Sequence, residues 1–177
     1  MSLESYSYRG IKTLDNIEGT DGNGILLGSS VSLDFKNTRV AIGHLGNATS
    51  QGKVTVHSLV NTTSNEWTTS QTITEPSASN GSFFGYAVSM NWNGTRIAVG
   101  APKKSNGTVY VFDATSSGSN PWATYVSNTI TSSSTSSNGN FGFSISLGQD
   151  IDTTLAIGNP NDNRVEIWKL SNHSWSQ

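Results

Sequence analysis

Side chains able to carry chemistry are few in this chain and widely spaced. Asp150 and Asp152 are carboxylates at alternate positions, close enough to share a cation or to take part in acid–base work. Glycoside hydrolysis needs a second carboxyl across a cleft from the first, and no local motif supplies one. His44, His57 and His173 stand in unrelated settings, and neither Gly-x-Ser-x-Gly nor His-Glu-x-x-His occurs. Each histidine therefore reads as a solvated or hydrogen-bonded residue, and the chain does not read as an enzyme. The absence of cysteine removes thiolate chemistry and disulfides.

Aromatic residues offer more. Trp92 falls in a hairpin turn, with Phe35 at the matching place earlier in the chain. An aromatic at a turn tip either packs on a neighbouring unit or is offered to a partner. Tyr110 and Phe112 flank an otherwise apolar outer strand and could also meet another chain, with simple packing between units as the favoured alternative. Trp67, Trp122 and Trp175 share one repeat position, which points to strand packing.

What positions these residues is a repeat. Gly28, Gly85 and Gly142 each open a strand, Val31, Val88 and Ile145 follow three residues later, and Gly43, Gly100 and Gly158 close the paired strand, a spacing of about 57 residues. The units divide as repeat 1 at 21–75, repeat 2 at 76–132 and repeat 3 at 133–177, after an N-terminal strand within 1–20. Ser29, Val31, Leu33, Val40 and Ile42 alternate with Ser30, Ser32, Ala41 and Gly43, and the later units copy the pattern. One face of each sheet is bulky and the other small and uncharged, so the bulky face of one unit suits the small face of the next. Third strands, with Lys53, Arg164 and Glu166 on their minor faces, read as wetter than first strands, the gradient expected of a radial blade.

Composition agrees with an all-β reading and narrows the partners. Of 177 residues, 33% are hydrophobic and 12% charged, with a net charge of -2. The ten Lys and Arg form no stripe, so nucleic acid is not expected. No run of apolar residues is long enough for a membrane span, and Met1 to Asp15 lacks the layout of a signal peptide. Sequons at Asn47, Asn61, Asn80, Asn93, Asn106 and Asn172 are no more than an Asn-, Ser- and Thr-rich chain produces by chance.

The motifs Phe84-Gly85 and Gly100-Ala101-Pro102, persisting as Phe141-Gly142 and Gly158-Asn159-Pro160 and decaying to Leu27-Gly28 and Gly43-His44-Leu45, resemble the FG-GAP repeat of integrin α-chain heads and of bacterial and viral surface proteins. The resemblance covers almost the whole chain. It implies four-stranded blades in a β-propeller-like array, and a role in binding or architecture without chemistry. Calcium-binding members carry an Asp-x-Asp/Asn-x-Asp-Gly loop. Here Lys36, Trp92 and Gln149 stand where oxygen ligands would be needed, so neither calcium nor another cofactor is expected, and Asp150 and Asp152 are the only metal candidates.

The fold expected is thus three four-stranded antiparallel blades, with a β-trefoil-like closed barrel as the alternative. Three blades are too few for a conventional propeller, which uses about four to eight. The strand near Tyr8 to Ile17 reads as a last strand without its unit, and Trp175-Ser-Gln177 as a last strand left unfinished. Both features point to self-association, an assembly or a longer parent chain. The function expected is a structural or adhesive module that binds proteins at an extracellular, virion or cell surface, with Trp92, Phe35 and Tyr110 as candidate contacts. The alternative is a carbohydrate-binding module using the turn aromatics.

Overall fold

A computed structural model describes residues 26–46, 51–114, 122, 128–134, 139–148, 154–171 and 174–177. The expected N-terminal strand at Tyr8 to Ile17, and Asp150, Asp152, Gln149 and His173, lie outside the described residues.

The repeat folds as three separate four-stranded antiparallel sheets, each built from one unit in chain order. Blade 1 comprises β1 (Leu26–Leu33), β2 (Arg39–Leu45), β3 (Lys53–Asn61) and β4 (Glu66–Thr74). Blade 2 comprises β5 (Ala87–Met90), β6 (Arg96–Ala101), β7 (Thr108–Asp113) and β8 (Asn128–Thr131). Blade 3 comprises β9 (Ser144–Leu147), β10 (Thr154–Asn159), β11 (Arg164–Ser171) and β12 (Ser174–Ser176). The chain is all-β and propeller-like. A trefoil-like barrel would pair strands of different units in one continuous sheet, and these sheets do not. The last strand, expected to be unfinished, is short yet paired, with Trp175 opposite Leu170.

The first hairpin of blades 1 and 2 is closed by one device. Asp34 Oδ1 accepts from the Thr38 and Arg39 amides at 2.8 and 3.0 Å. Asn91 Oδ1 accepts from the Thr95 and Arg96 amides at 2.9 and 2.8 Å. A short Asx side chain can satisfy turn amides in this way, which fixes the register of the strands that follow.

That register puts the paired residues on their expected faces, while Ser29, in the irregularity between Leu27 and Ser30, turns its hydroxyl to the Gly43 and Gly85 carbonyls instead of joining the bulky face. Val31 opposes Ile42, Val88 opposes Val99, and Ile145 opposes Ile157. On the reverse side Ser30 opposes Gly43, Ala87 opposes Gly100, and Ser144 opposes Gly158. The bulky side is here called the leading face and the other the trailing face. The leading face of blade 2 packs on the trailing face of blade 1, where Ala41, Val54, Val56 and Ile73 meet Phe84, Met90, Ile97 and Val99 in one core. The leading face of blade 3 repeats this on blade 2, where Ala98, Val109, Val111 and Ile130 meet Phe141, Leu147, Leu155 and Ile157.

The contact is close because glycine lies where the blades touch. A Cβ on Gly43 would sit 2.1 Å from the Gly85 carbonyl oxygen, and one on Gly100 would sit 2.1 Å from that of Gly142. Ser32 Oγ accepts the Met90 amide at 2.9 Å, and Ser89 Oγ accepts the Leu147 amide at 2.9 Å, the same bond one repeat on. Small uncharged residues on the trailing faces thus serve both close approach and hydrogen bonding.

Two expectations about exposure are corrected. Third strands are not uniformly wet: β7 is buried from Thr108 to Phe112 and β3 from Val54 to His57, whereas β11 is largely exposed apart from Glu166. The reason lies in the register, which pairs Gly43 with Val54 and Ala41 with Val56, so the trailing face is small at its first two strands and bulky at its third. Blades splayed from a common edge leave more room farther out, and larger residues fill it. The polarity gradient runs along the array instead of outward from its edge. Blade 2 is enclosed, whereas β1 has Val31 at 64% and Leu33 at 53% exposure, and β11 has Val165 at 65% and Ile167 at 49%.

Candidate functional site

Phe35 and Trp92 come together. Their turns belong to adjacent blades at equivalent positions, and stacking of the blades brings the rings to 4.9 Å between centroids at 77°, an edge-to-face pair. Two hydrogen bonds fix the turns to each other: the Phe35 amide donates to the Trp92 carbonyl at 2.9 Å, and Arg39 Nη1 donates to the Gly94 carbonyl at 2.9 Å. Both rings stay open to solvent, Phe35 at 67% and Trp92 at 46%. Two rings held on a rigid backbone and still exposed form a contact tip with little side-chain freedom to lose on binding.

Tyr110, the third candidate contact, is buried and cannot face a partner. It lies on the leading face of blade 2, where blade 1 covers it. Its hydroxyl donates to Glu75 Oε1 at 3.1 Å. Burial first, then the Glu75 charge and that hydrogen bond, push its pKa well above the ordinary phenol value. Glu75 also accepts from the Ser79 amide at 3.0 Å and Ser82 Oγ at 2.9 Å, and pairs with Lys104 at 2.9 Å. This cluster ties the end of β4 to β7 and is structural. Phe112 is likewise buried in the same core.

Among the described residues, the chemistry-bearing side chains form no open site. His44 Nε2 and His57 Nε2 lie 2.8 and 3.0 Å from the one hydroxyl of Thr55, and His57 Nδ1 lies 3.3 Å from Thr69 Oγ1. His44, Thr55 and His57 are all buried on the leading side of blade 1, so substrate has no access to them. Among the described residues no group of three acidic or histidine side chains gathers as a metal site. The Asp34 carboxylate, in the first hairpin turn of blade 1, is committed to its own turn amides, and Asp162, in the turn between β10 and β11, accepts from Asn159 Nδ2 at 2.7 Å. A cavity of about 200 Å³ beside Gln71, Thr74, Glu75 and Phe112 is smaller than the usual small-molecule site. Among the described residues no helix is long and apolar enough to cross a membrane.

The tryptophans behave as packing residues. Trp122 and Trp175 are buried in the two inter-blade cores, and Trp67 is half-buried with its Nε1 donating to Asn65 Oδ1 at 3.0 Å. One surface feature escaped the sequence reading. Tyr86 meets Phe143 of the next blade at 4.7 Å and stacks on Phe83 at 6.5 Å, and Phe143 stays 41% exposed. The signal was available in the aromatic that follows Gly85 and Gly142 in two successive repeats.

Comparison with known proteins agrees with this architecture. Residues 67–112 match the model of the FG-GAP repeat, a span that runs from β4 of blade 1 through β7 of blade 2 and so includes the packed contact between them. No curated protein gives a significant match to the chain.

Proposed function

We propose, from the premise that this is an FG-GAP repeat protein, that it is a non-catalytic structural or adhesive module that binds other proteins in an extracellular, virion or cell-surface assembly. FG-GAP repeats are in general protein- or ligand-binding and non-enzymatic. The observation that carries the reading is the Phe35–Trp92 tip, two large rings from adjacent blades that support each other and still face solvent. Exposed, pre-positioned aromatics of this kind are the residues most often found to dominate protein interfaces.

The test is co-purification of the chain with its native assembly, compared with a Phe35→Ala/Trp92→Ala double variant whose melting temperature is checked separately. Stoichiometric recovery that falls at least tenfold in the variant supports the reading, and unchanged recovery contradicts it. The half-exposed Trp92 ring beside the exposed amide side chain of Asn93 favours one second reading, a carbohydrate contact. Glycan-array binding that disappears with Trp92→Ala would select that reading over the first.

A further inference from the structure

Five asparagines in this chain are followed directly by glycine, at Asn23, Asn80, Asn93, Asn106 and Asn138. At such a step the main chain can react with its own side chain, because no Cβ on the glycine hinders attack by its amide on the preceding side-chain carbonyl carbon. The fold controls two conditions for that attack: freedom of the asparagine side chain, and freedom of the glycine amide from an acceptor. The steps at 80, 93 and 106 lie within the described residues, and the structure treats them differently. Asn93 is exposed, but its Oδ1 accepts from the Thr95 amide at 3.2 Å and from Thr95 Oγ1 at 2.5 Å. The Gly94 amide donates to the Asn91 carbonyl at 3.0 Å, and Gly94 is buried against Arg39 and Asp34. Asn106 is half-buried; its carbonyl accepts the Phe141 amide of the next blade at 3.3 Å, and the Gly107 amide donates to the Lys104 carbonyl at 2.8 Å. A Cβ on Gly107 would lie 2.3 Å from main-chain atoms of Phe141, so this step is clamped between blades.

The step from Asn80 to Gly81 is open. Asn80 is exposed, and among the described residues neither its side chain nor the Gly81 amide has a hydrogen-bond partner. Gly81 takes a left-handed backbone with φ of 74°, and the turn around the pair is closed by one long bond, from the Ser82 amide to the Ser79 carbonyl at 3.4 Å. The residues on either side are held. The Ser79 amide and Ser82 Oγ both donate to Glu75 Oε2, at 3.0 and 2.9 Å, and Glu75 is buried and paired with Lys104 at 2.9 Å. Two residues after Ser82, Phe84 enters the core between blades 1 and 2. The unheld step thus stands between two anchors on one carboxylate, in the loop that leads into the blade contact.

We propose that Asn80 is a site of spontaneous self-modification, by which the contact between blades 1 and 2 weakens as the protein ages. The deprotonated Gly81 amide nitrogen attacks Asn80 Cγ and forms a C–N bond; the side-chain nitrogen takes up a proton and leaves as ammonia, and a cyclic succinimide remains. Water then opens the ring at either carbonyl. One product is aspartate at position 80, and the other is isoaspartate, in which the main chain runs through the former side chain and is one methylene longer. No atom is oxidised or reduced, and water is the one co-reactant. Both products place a carboxylate where a neutral amide stood, in the loop that already holds the buried Glu75 carboxylate, and like charges repel. In isoaspartate the added methylene also moves Ser79 and Ser82 apart, so the two can no longer share Glu75 Oε2 in their present geometry, and the loop into Phe84 loosens. This modification is independent of the Phe35–Trp92 tip and of the protein-binding reading.

Peptide mapping by mass spectrometry tests this on the whole chain, aged at physiological temperature and mildly alkaline pH, beside a second sample aged in urea. In the folded chain, conversion at Asn80 is expected to run about tenfold faster than at Asn93 or Asn106. Those two steps must first break at least two hydrogen bonds that Asn80 lacks, each worth roughly a factor of 2–10. In urea the three rates are expected to converge, because the next residue is glycine in every case. Equal rates in the folded chain, no conversion at Asn80, or an Asn80 that keeps its lead in urea overturns the proposal. The aged parent is expected to melt a few degrees below the fresh chain, in step with its isoaspartate content. Asn80→Gln changes an exposed side chain, so its fold is kept, and it is expected to hold its melting temperature through the same ageing because a longer side chain cyclises less readily. A converted parent that melts unchanged, or equal losses in the parent and Asn80→Gln, would overturn the link to the blade contact.

Discussion

Replacing Gly100 by alanine should pry blades 2 and 3 apart, whereas the same change at Gly158 should be nearly silent in dilute solution. At Gly100 the new Cβ would lie 2.1 Å from the Gly142 carbonyl oxygen and 3.2 Å from Ile145 Cδ1. A main-chain carbonyl cannot swing aside, so blade 3 must retreat by about 1 Å to restore ordinary contact, and the core shared by the two blades loses packing along its length. Overpacking of this kind costs about 3 kcal/mol or slightly more, the upper end for a rigid obstacle. For a chain of this size that is a fall of roughly 6–12 °C in melting temperature. At Gly158 the near atom is Ser144 Oγ at 2.2 Å, a hydroxyl that turns about one bond, and the next contacts are ordinary ones at 3.5 and 3.7 Å. A cost of about 1 kcal/mol or less, roughly 2–4 °C, follows. Thermal unfolding followed by circular dichroism at low protein concentration gives both numbers. Equal shifts for the two variants would refute the claim that the trailing-face glycines exist to admit the next blade.

Phe84→Ala should cost about 3–5 kcal/mol and Leu27→Ala about 1 kcal/mol or less, read by urea unfolding, because the two share a repeat position but only the first is enclosed. Asn91→Ala should cost about 1–3 kcal/mol, since the Thr95 and Arg96 amides lose their acceptor, and the same unfolding curve measures it. Tyr110 holds its proton more tightly folded than unfolded, so its contribution to stability is complete below about pH 10 and is lost as the pH rises above that value and the unfolded chain ionises. The melting temperature of the parent should therefore fall more steeply above pH 10 than that of Tyr110→Phe, and parallel curves would contradict this.

Strand positions and facing were legible because two simple signals coincided at each repeat: alternation with period two, and glycine at both ends of the first hairpin. Val88, Ile97 and Val99 fall where that pattern puts them, on the leading face and in a core. The third strands were misread because alternation gives the two faces of a strand but not which face belongs to which neighbour. Only the pairing of Ala41 with Val56 shows that bulk changes sides between the second and third strands. Burial of Glu166 follows from the same register, and its carboxylate is satisfied by Ser132 Oγ at 2.7 Å and Trp168 Nε1 at 3.2 Å, contacts with no local sequence signature. Phe35 and Trp92 were recognisable one by one as turn aromatics. That they touch depends on the stacking of two blades and could not be read from either turn alone. Tyr110 was misplaced for a related reason, since Glu75, the residue that fixes its hydroxyl, is 35 positions away.

Lysine cross-linking of the chain within its native assembly tests the central claim most directly, because exposed lysines mark both the proposed contact and two controls. Lys36 adjoins Phe35 at the tip, Lys169 lies on the open face of blade 3, and Lys103 follows β6 at the end of blade 2 away from the tip; all three are exposed. The account expects intermolecular cross-links to concentrate at Lys36, in contact with other proteins, with Lys103 and Lys169 reacting as free surface lysines. Cross-links centred on Lys103 or Lys169, with Lys36 reacting only as a free surface lysine, would contradict it.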